Sequence, residues 1–323
     1  MIFESILIVI FAIILDFIVG DPRNKFHPTS WIGSLIAKLV PSIKNESPKI
    51  EKLGGILLVI IVVSIVSALL VFLNMGIQNI SIEILGIIIS IISGTILLKT
   101  TIAIRGMEKH AIAVMDSLDQ NDLKSARNNL SMIVKRNTNN LDKNHVLSGT
   151  LESISENTVD GITGPLFYFT FFGIIGAFTY RIVNTIDSMI GYKSGIFRNI
   201  GWFGANCDNI LNYLPARITG IMMVLGALIL GHDWKKSYQI LRRDGKKTES
   251  PNAGYPMAAL AGALGTRFEK INNYCIGDDN FELTKDHFHA AISLMKITSI
   301  LFCMIFTVPV IIILSYFGWW FNV

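Results

Sequence analysis

Three carboxylates and an amide crowd the stretch Glu152-Ser-Ile-Ser-Glu156-Asn157-Thr-Val-Asp160-Gly161. Four-residue steps along a helix advance by about 40°, so Glu152, Glu156 and Asp160 share one face. Like charges at that spacing repel, and a bound cation would relieve them. Oxygen ligands of this kind suit Mg²⁺, which commonly binds through one or two carboxylates together with substrate phosphates. A solvated acidic face is the ordinary alternative. Against it, an apolar run begins at Ile162, a poor place for idle charge.

Three further stretches could serve the same chemistry. In Tyr180-Arg181-Ile-Val-Asn184-Thr-Ile-Asp187, an arginine, an amide and a carboxylate recur at helical spacing. Such a set can hold a phosphate beside its metal ion, or it can cap or join helices. Asn206-Cys207-Asp208-Asn209, followed by Asn212, Pro215 and Arg217, stands at the entry to an apolar run, where ionisable groups mark function or a paired contact. Asp208 paired with Arg217 is the structural reading there. Asp16-Phe-Ile-Val-Gly20-Asp21-Pro22 precedes His27-Pro28. Asp16 falls inside an apolar run and needs a partner, whereas Asp21 before Pro22 could simply end a helix. No Gly-x4-Gly-Lys-Ser/Thr loop occurs; Gly94-x4-Lys99-Thr100 lacks the second glycine. GxGxxG, HExxH and Gly-x-Ser-x-Gly are absent too, which disfavours P-loop and zinc-hydrolase chemistry.

The elements that must position these residues are membrane helices. Of the 323 residues, 51% are hydrophobic and 16% charged, against about 25% charged in soluble domains. Six apolar runs stand out: Ile2–Val19, Leu53–Leu73, Ile80–Leu98, Ile162–Tyr180, Ile210–Leu230 and Ile297–Trp320. Runs of about 20 residues span a bilayer. The fourth starts at Gly164-Pro165 and contains Gly173 and Gly176, so it suits a re-entrant or interfacial helix as well as a span. The first has no basic flank or small-residue cleavage site and reads as a retained helix. The expected fold is therefore an all-α, polytopic membrane protein with five or six membrane segments, one integral domain over 1–323, and polar insertions at 99–161 and 232–296. Ile102–Leu118, Asp122–Val134 and Leu141–Val159 read as helices of the first insertion. In the second, Ser250-Pro-Asn252-Ala-Gly-Tyr-Pro256 reads as a rigid loop. The small-residue run Ala258–Gly265 after it suits close helix packing.

The segments 21–52, 99–161 and 232–296 hold 6, 8 and 10 Lys/Arg, while 74–79 holds none and 181–209 holds three. Positive charge favours the cytoplasm, which would put both termini outside. If Ile162–Tyr180 crossed fully, Arg181 to Asp187 would then face outward. The net charge of +4 comes without a basic block interleaved with aromatics, so nucleic acid is not an expected partner. Cys207, Cys275 and Cys303 lack CxxC spacing and suggest neither disulfides nor zinc.

Taken together the chain resembles the adenosylcobinamide-phosphate synthase (CobD/CbiB) family of cobalamin biosynthesis. The matching stretches are Gly20-Asp21-Pro22 with His27-Pro28, Ser131–Val134, Glu152–Gly161, Arg181–Met189, Gly201-Trp202-Phe203, Leu211–Arg217 and Ser250–Gly254, in the family's order across about residues 15 to 280. Asn137 stands where the family often has Asp, and Met257 where it has Glu. The resemblance implies an ATP-dependent amide ligase that condenses adenosylcobyric acid with (R)-1-aminopropan-2-ol phosphate, in the cell membrane, with Mg²⁺. By the same resemblance Glu152, Glu156 and Asp160 would hold the metal. Asn157, Arg181, Arg217, Asn252, Asp21 and His27 would bind substrate or phosphate. Asn184, Asp187 and Asp208 would serve the chemistry, with Asp208 taking a proton from the amine. Association with later enzymes of nucleotide-loop assembly is a further implied partner. A transporter, or a regulatory membrane protein like AmpE, is the competing expectation.

Overall fold

The computed structural model describes residues 2–192, 195–278 and 282–318. In chain order the helices are α1 (Ile2–Val19), α2 (Pro28–Ile43), α3 (Pro48–Gln78), α4 (Glu83–Lys99), α5 (Ile104–Asp119), α6 (Leu123–Ser131), α7 (Lys143–Thr158) and α8 (Gly164–Ile190). They continue with α9 (Trp202–Leu211), α10 (Tyr213–Ile229), α11 (Trp234–Asp244), α12 (Gly254–Leu264), α13 (Lys285–Leu301) and α14 (Val308–Tyr316). Strands β1 (Arg267–Lys270) and β2 (Tyr274–Gly277) pair antiparallel as the one sheet among the described residues. Five helical stretches are long and apolar enough to cross a bilayer: Ile2–Val19, Pro48–Gln78, Glu83–Asp119, Lys143–Ile190 and Lys285–Tyr316. The chain is an all-α polytopic membrane protein, as its composition requires. Of the last apolar run, Trp319 and Trp320 lie outside the described residues.

The chain divides into two compact units. The first comprises Met1–Ala103, Gly164–Leu211 and Cys303–Val323; the second comprises Ile104–Thr163 and Asn212–Phe302. Both polar insertions thus belong largely to the second unit, together with the fifth apolar run.

In the first unit the fourth apolar run does not pass straight through. Its backbone leaves helical geometry at Gly173 (φ 61°, ψ −151°), a region open essentially to glycine alone. The chain then returns along itself. Tyr168 and Tyr180 stack with ring centroids 5.3 Å apart, and a Cβ on Gly164 would lie 2.3 Å from the Tyr180 ring. On a straight helix sixteen residues would separate these positions by about 24 Å. Run four is a helical hairpin, and the absence of side chains at Gly164 and Gly176 lets its two limbs close. Beyond it, the chain packs onto α2 and the start of α3. Met189 Sδ lies 3.5 Å from where a Gly33 Cβ would be, Asn199 donates to Glu51 at 3.1 Å, and Lys44 donates to the Ile196 carbonyl. Residues 181–192 and 195–209 therefore share an end of the unit with the basic segment 21–52. This arrangement fits the re-entrant alternative for run four.

The second unit is built around α10, which packs against α11, α12 and α13. The Ala258–Gly265 run packs as closely as its composition suggests: a Cβ on Gly262 would lie 2.7 Å from the Lys236 carbonyl on α11. Caps set the helix starts. Asp122 accepts from the Ser125 N–H, Asp142 from His145, and Asp233 from Lys236, the exchange that satisfies orphan donors of a first turn. The β1–β2 hairpin is tied to α7, where Ser148 Oγ accepts from the Glu269 N–H at 2.9 Å. It is fixed to α11 by Asp244, which accepts from the Gly277 N–H at 2.9 Å.

Candidate functional site

From Val146 to Thr163 every residue is buried except Glu156, Asn157 and Asp160, which are partly accessible. The acidic stretch therefore meets solvent through one opening of three polar side chains. The helical face expected of it is altered at its end. Val159–Thr163 forms a π turn, whose extra residue per turn carries Asp160 away from the Glu152–Glu156 row. Asp160 instead accepts from Asn212 Nδ2 at 3.1 Å.

Glu152 is used internally. Its Oε1 accepts from Ser148 Oγ at 2.8 Å and from Arg136 Nη2 at 3.1 Å, and its Oε2 accepts from Tyr274 Oη at 2.7 Å. Burial raises the Tyr274 phenol above its ordinary range, and the Glu152 charge raises it further, so it stays a donor to that carboxylate. Met257, one of the departures from the family pattern, places its sulfur 3.8 Å from the same phenol. Asn157 spends its amide nitrogen on Ser153, at 2.9 Å to the carbonyl and 3.2 Å to Oγ. What remains is a carbonyl oxygen, an acceptor. That suits a cation or an ammonium and not the phosphate expected of this residue.

In the first unit Arg181, Asn184 and Asp208 form a chain. Arg181 Nη1 donates to Asn184 Oδ1 at 3.4 Å, and Asn184 Nδ2 donates to Asp208 Oδ1 at 3.2 Å. Asn184 is buried; Arg181, Asp187 and Asp208 stay partly accessible. Asp187 sits one turn before Gly191, where a Cβ would lie 2.0 Å from its Oδ1. Asp21 and His27 belong to a different cluster. Lys99 lies 3.2 Å from Asp16 and 2.8 Å from Asp21, and His27 Nε2 lies 3.4 Å from Asp21. His27 Nδ1 accepts from the Thr29 N–H and caps α2. Burial alone would raise the Asp21 carboxyl, but hydrogen bonds from His27 and Lys99 outweigh it and hold it below the usual range.

Arg217 and Asn252 meet in the second unit. Arg217 Nη1 donates to Asn252 Oδ1 at 3.2 Å, and the guanidinium lies 3.4 Å from the Tyr213 ring centroid and 4.3 Å from that of Tyr255. Asn252 sits in the loop anticipated as rigid, where Ser250 Oγ accepts from the N–H groups of Asn252 and Ala253.

The sequence profile of the CobD/CbiB proteins matches residues 9–302. The chain belongs to the CobD/CbiB family. It is 38% identical over 301 residues to the probable cobalamin biosynthesis protein CobD of Methanothermobacter thermautotrophicus, covering 93% of this chain and 96% of that protein. It is 43% identical over 263 residues to the cobalamin biosynthesis protein CobD of Leptospira interrogans, covering 81% of this chain and 82% of the relative. The Methanocaldococcus jannaschii protein, also a probable cobalamin biosynthesis protein CobD, is 36% identical across 93% of this chain and 97% of its own length. No solved structure matches it. The resemblance seen in the ordered motifs is thereby established, and cobalamin biosynthesis is the family's setting.

Within this CobD/CbiB chain, no three His, Cys, Asp or Glu side chains among the described residues are grouped to hold a metal by themselves. Within the expected trio of Glu152, Glu156 and Asp160, internal donors occupy Glu152 and Asn212 donates to Asp160. The donor set at the opening still fits Mg²⁺ in its usual mode, two carboxylates with the rest of the shell from water and substrate phosphate. Glu156 and Asp160 would hold it. Sequence reasoning passed over Arg136, Ser148 and Tyr274, which show no periodicity or motif. Lys99 had a readable signal: a lysine ending an apolar run and Asp16 inside another each need a partner of opposite charge.

Proposed function

We propose that this CobD/CbiB protein is an adenosylcobinamide-phosphate synthase of the cell membrane, an ATP-dependent amide ligase. Its substrates would be adenosylcobyric acid and (R)-1-aminopropan-2-ol phosphate, or aminopropanol. The observation that carries the reading is the opening of Glu156, Asn157 and Asp160 in an otherwise buried stretch. A carboxylate is a poor acyl donor. In the proposed sequence a propionate oxygen of the corrinoid attacks the γ-phosphorus of ATP and ADP leaves. The amine nitrogen then attacks the acyl carbon of the resulting acyl phosphate, phosphate leaves, and the nitrogen gives up a proton.

Such chemistry asks the protein mainly for positioning and for compensation of phosphate charge. When bound, Mg²⁺ would supply part of that compensation. Glu156 and Asp160 would anchor it, and the Asn157 carbonyl oxygen would face a cation or the incoming ammonium. Glu152, held by Arg136, Ser148 and Tyr274, would keep α7 in register as a positioning residue. Arg181 would meet phosphate, Asp187 would assist it, and Asp208, steadied by Asn184, would accept the amine proton.

The test is reconstitution of the purified chain in liposomes with adenosylcobyric acid, the amino alcohol phosphate, ATP and Mg²⁺. One amide product per ADP and phosphate released is expected, and competition between the two amino alcohols identifies the preferred one. A folded, correctly inserted protein that makes no amide and hydrolyses no ATP would overturn the reading.

A further inference from the structure

A second polar site lies in the second unit, where α10, α11, the turn after α11 and the start of α12 border an open cavity of about 290 Å³. Arg217, Tyr238, Arg242, Lys246 and Tyr255 line it, with Ile221 at its apolar side. Three cations in one small cavity repel each other, so the pairing of each matters. Their neighbours on the same stretch are matched. Arg243 binds Asp244 and Asp278, Lys236 binds Asp278, and Lys247 binds Asp244. Among the described residues Arg217, Arg242 and Lys246 make no ion pair. Asp244 and Asp278 thus go to cations outside the cavity and not to those lining it.

Arg217 is also held in place before any ligand arrives. Tyr213 and Tyr255 pack against its guanidinium, Asn252 and the Tyr213 carbonyl accept from Nη1, and the Pro251 carbonyl accepts from Nη2 at 3.4 Å. Arg242 lies over the Tyr238 ring at 5.9 Å. A guanidinium fixed this way is a preorganised positive charge that keeps an Nε–H donor for a tetrahedral oxyanion, and a lysine adds a mobile point charge.

We propose that this cavity binds a phosphoryl group, with Arg242, Lys246 and Tyr238 joining Arg217 as its ligands. Two sources share that chemistry: a soluble phosphate ester, or the headgroup of an anionic lipid whose chains lie along the apolar side at Ile221. The site does not depend on the amide-ligase reading, because its test requires no turnover.

The experiment uses the full chain in neutral detergent with EDTA, titrated with inorganic pyrophosphate, and the same chain in phosphatidylcholine vesicles with and without phosphatidylglycerol. Binding is read by calorimetry in the first arm and by the thermal midpoint in the second. Saturable pyrophosphate binding, weakened roughly tenfold or more in R242Q/K246Q, supports a soluble ester. Stabilisation by phosphatidylglycerol alone, lost in the same variant, supports a lipid headgroup. R243Q, whose guanidinium is already committed to Asp244 and Asp278, should leave both responses unchanged. Absence of both responses in the native chain, or responses that R242Q/K246Q leaves intact, would overturn the proposal.

Discussion

The charges of α1 and α4 and those of α7 meet burial in opposite ways. At the ends of α1 and α4, Asp16 and Lys99 are enclosed and answer one another, and Lys99 reaches on to the more accessible Asp21, which His27 also meets. On α7 and the π turn after it, Glu152 is enclosed and held by Arg136, while Glu156 and Asp160 reach the surface of an otherwise buried stretch. An enclosed, matched cluster holds helices in place. Carboxylates kept at an opening can meet a ligand. The same residue types thus differ in setting according to whether they are enclosed or reach an opening.

The largest effect should come from breaking the enclosed cluster. Lys99 is 4% exposed and its partner Asp16 is fully buried. Lys99→Met would leave buried carboxylate charge uncompensated and cost about 3–5 kcal/mol, the scale for removing one member of a buried pair. Thermal unfolding in detergent reads it, and Asp16→Asn on the same background should recover part of the loss. An unchanged midpoint in Lys99→Met would refute the structural role.

A smaller effect is expected at Asp244, a matched acid in the second unit. Burial would raise its carboxyl, but Arg243, Lys247 and the Gly277 N–H overcome this and bring it down to about 2 from 3.8. A depressed folded value stabilises above the unfolded pKa and is lost as pH falls through the folded one. The contribution is therefore complete above about pH 4 and disappears toward pH 2. Because Arg243 and Lys247 are 44% and 46% exposed, screening reduces it to about 1 kcal/mol. Asp244→Asn should flatten the stability profile across that window while leaving it near-parallel to native above pH 5.

The hairpin at Gly173 makes a prediction without an energy attached. On a cysteine-free background, cysteines at exposed Lys49 and Ser188 should label from the same side of sealed vesicles, and one at exposed Asn79 from the other. Labelling of position 188 together with 79 would mean that run four crosses.

Much of this was legible in the sequence. Hydropathy located the apolar runs, since bilayer length and the need to satisfy backbone groups leave few alternatives. Helical periodicity and caps found α5, α6 and α7 to within a few residues. Asp16 was recognised as needing a partner, though Lys99 was weighed only as a failed phosphate loop. What stayed hidden was direction and register. Hydropathy is the same for a straight span and a hairpin, so Gly173 showed only as a weakness in run four. A π turn leaves no compositional mark, so Asp160 seemed to continue the row of Glu152 and Glu156. Tyr274 and Arg136 reach Glu152 from 122 and 16 residues away, and no local pattern announces such contacts.

The central claim is that the accessible carboxylates of α7 and its π turn act on substrate while the enclosed charges hold the fold. It is tested most directly by measuring amide formation and the thermal midpoint together in Glu156→Gln and Asp160→Asn, in liposomes with saturating ATP and Mg²⁺. The account predicts turnover reduced by about a thousandfold, equivalent to about 4 kcal/mol of transition-state stabilisation, with the midpoint close to that of the native protein. Near-native turnover in both variants would contradict it.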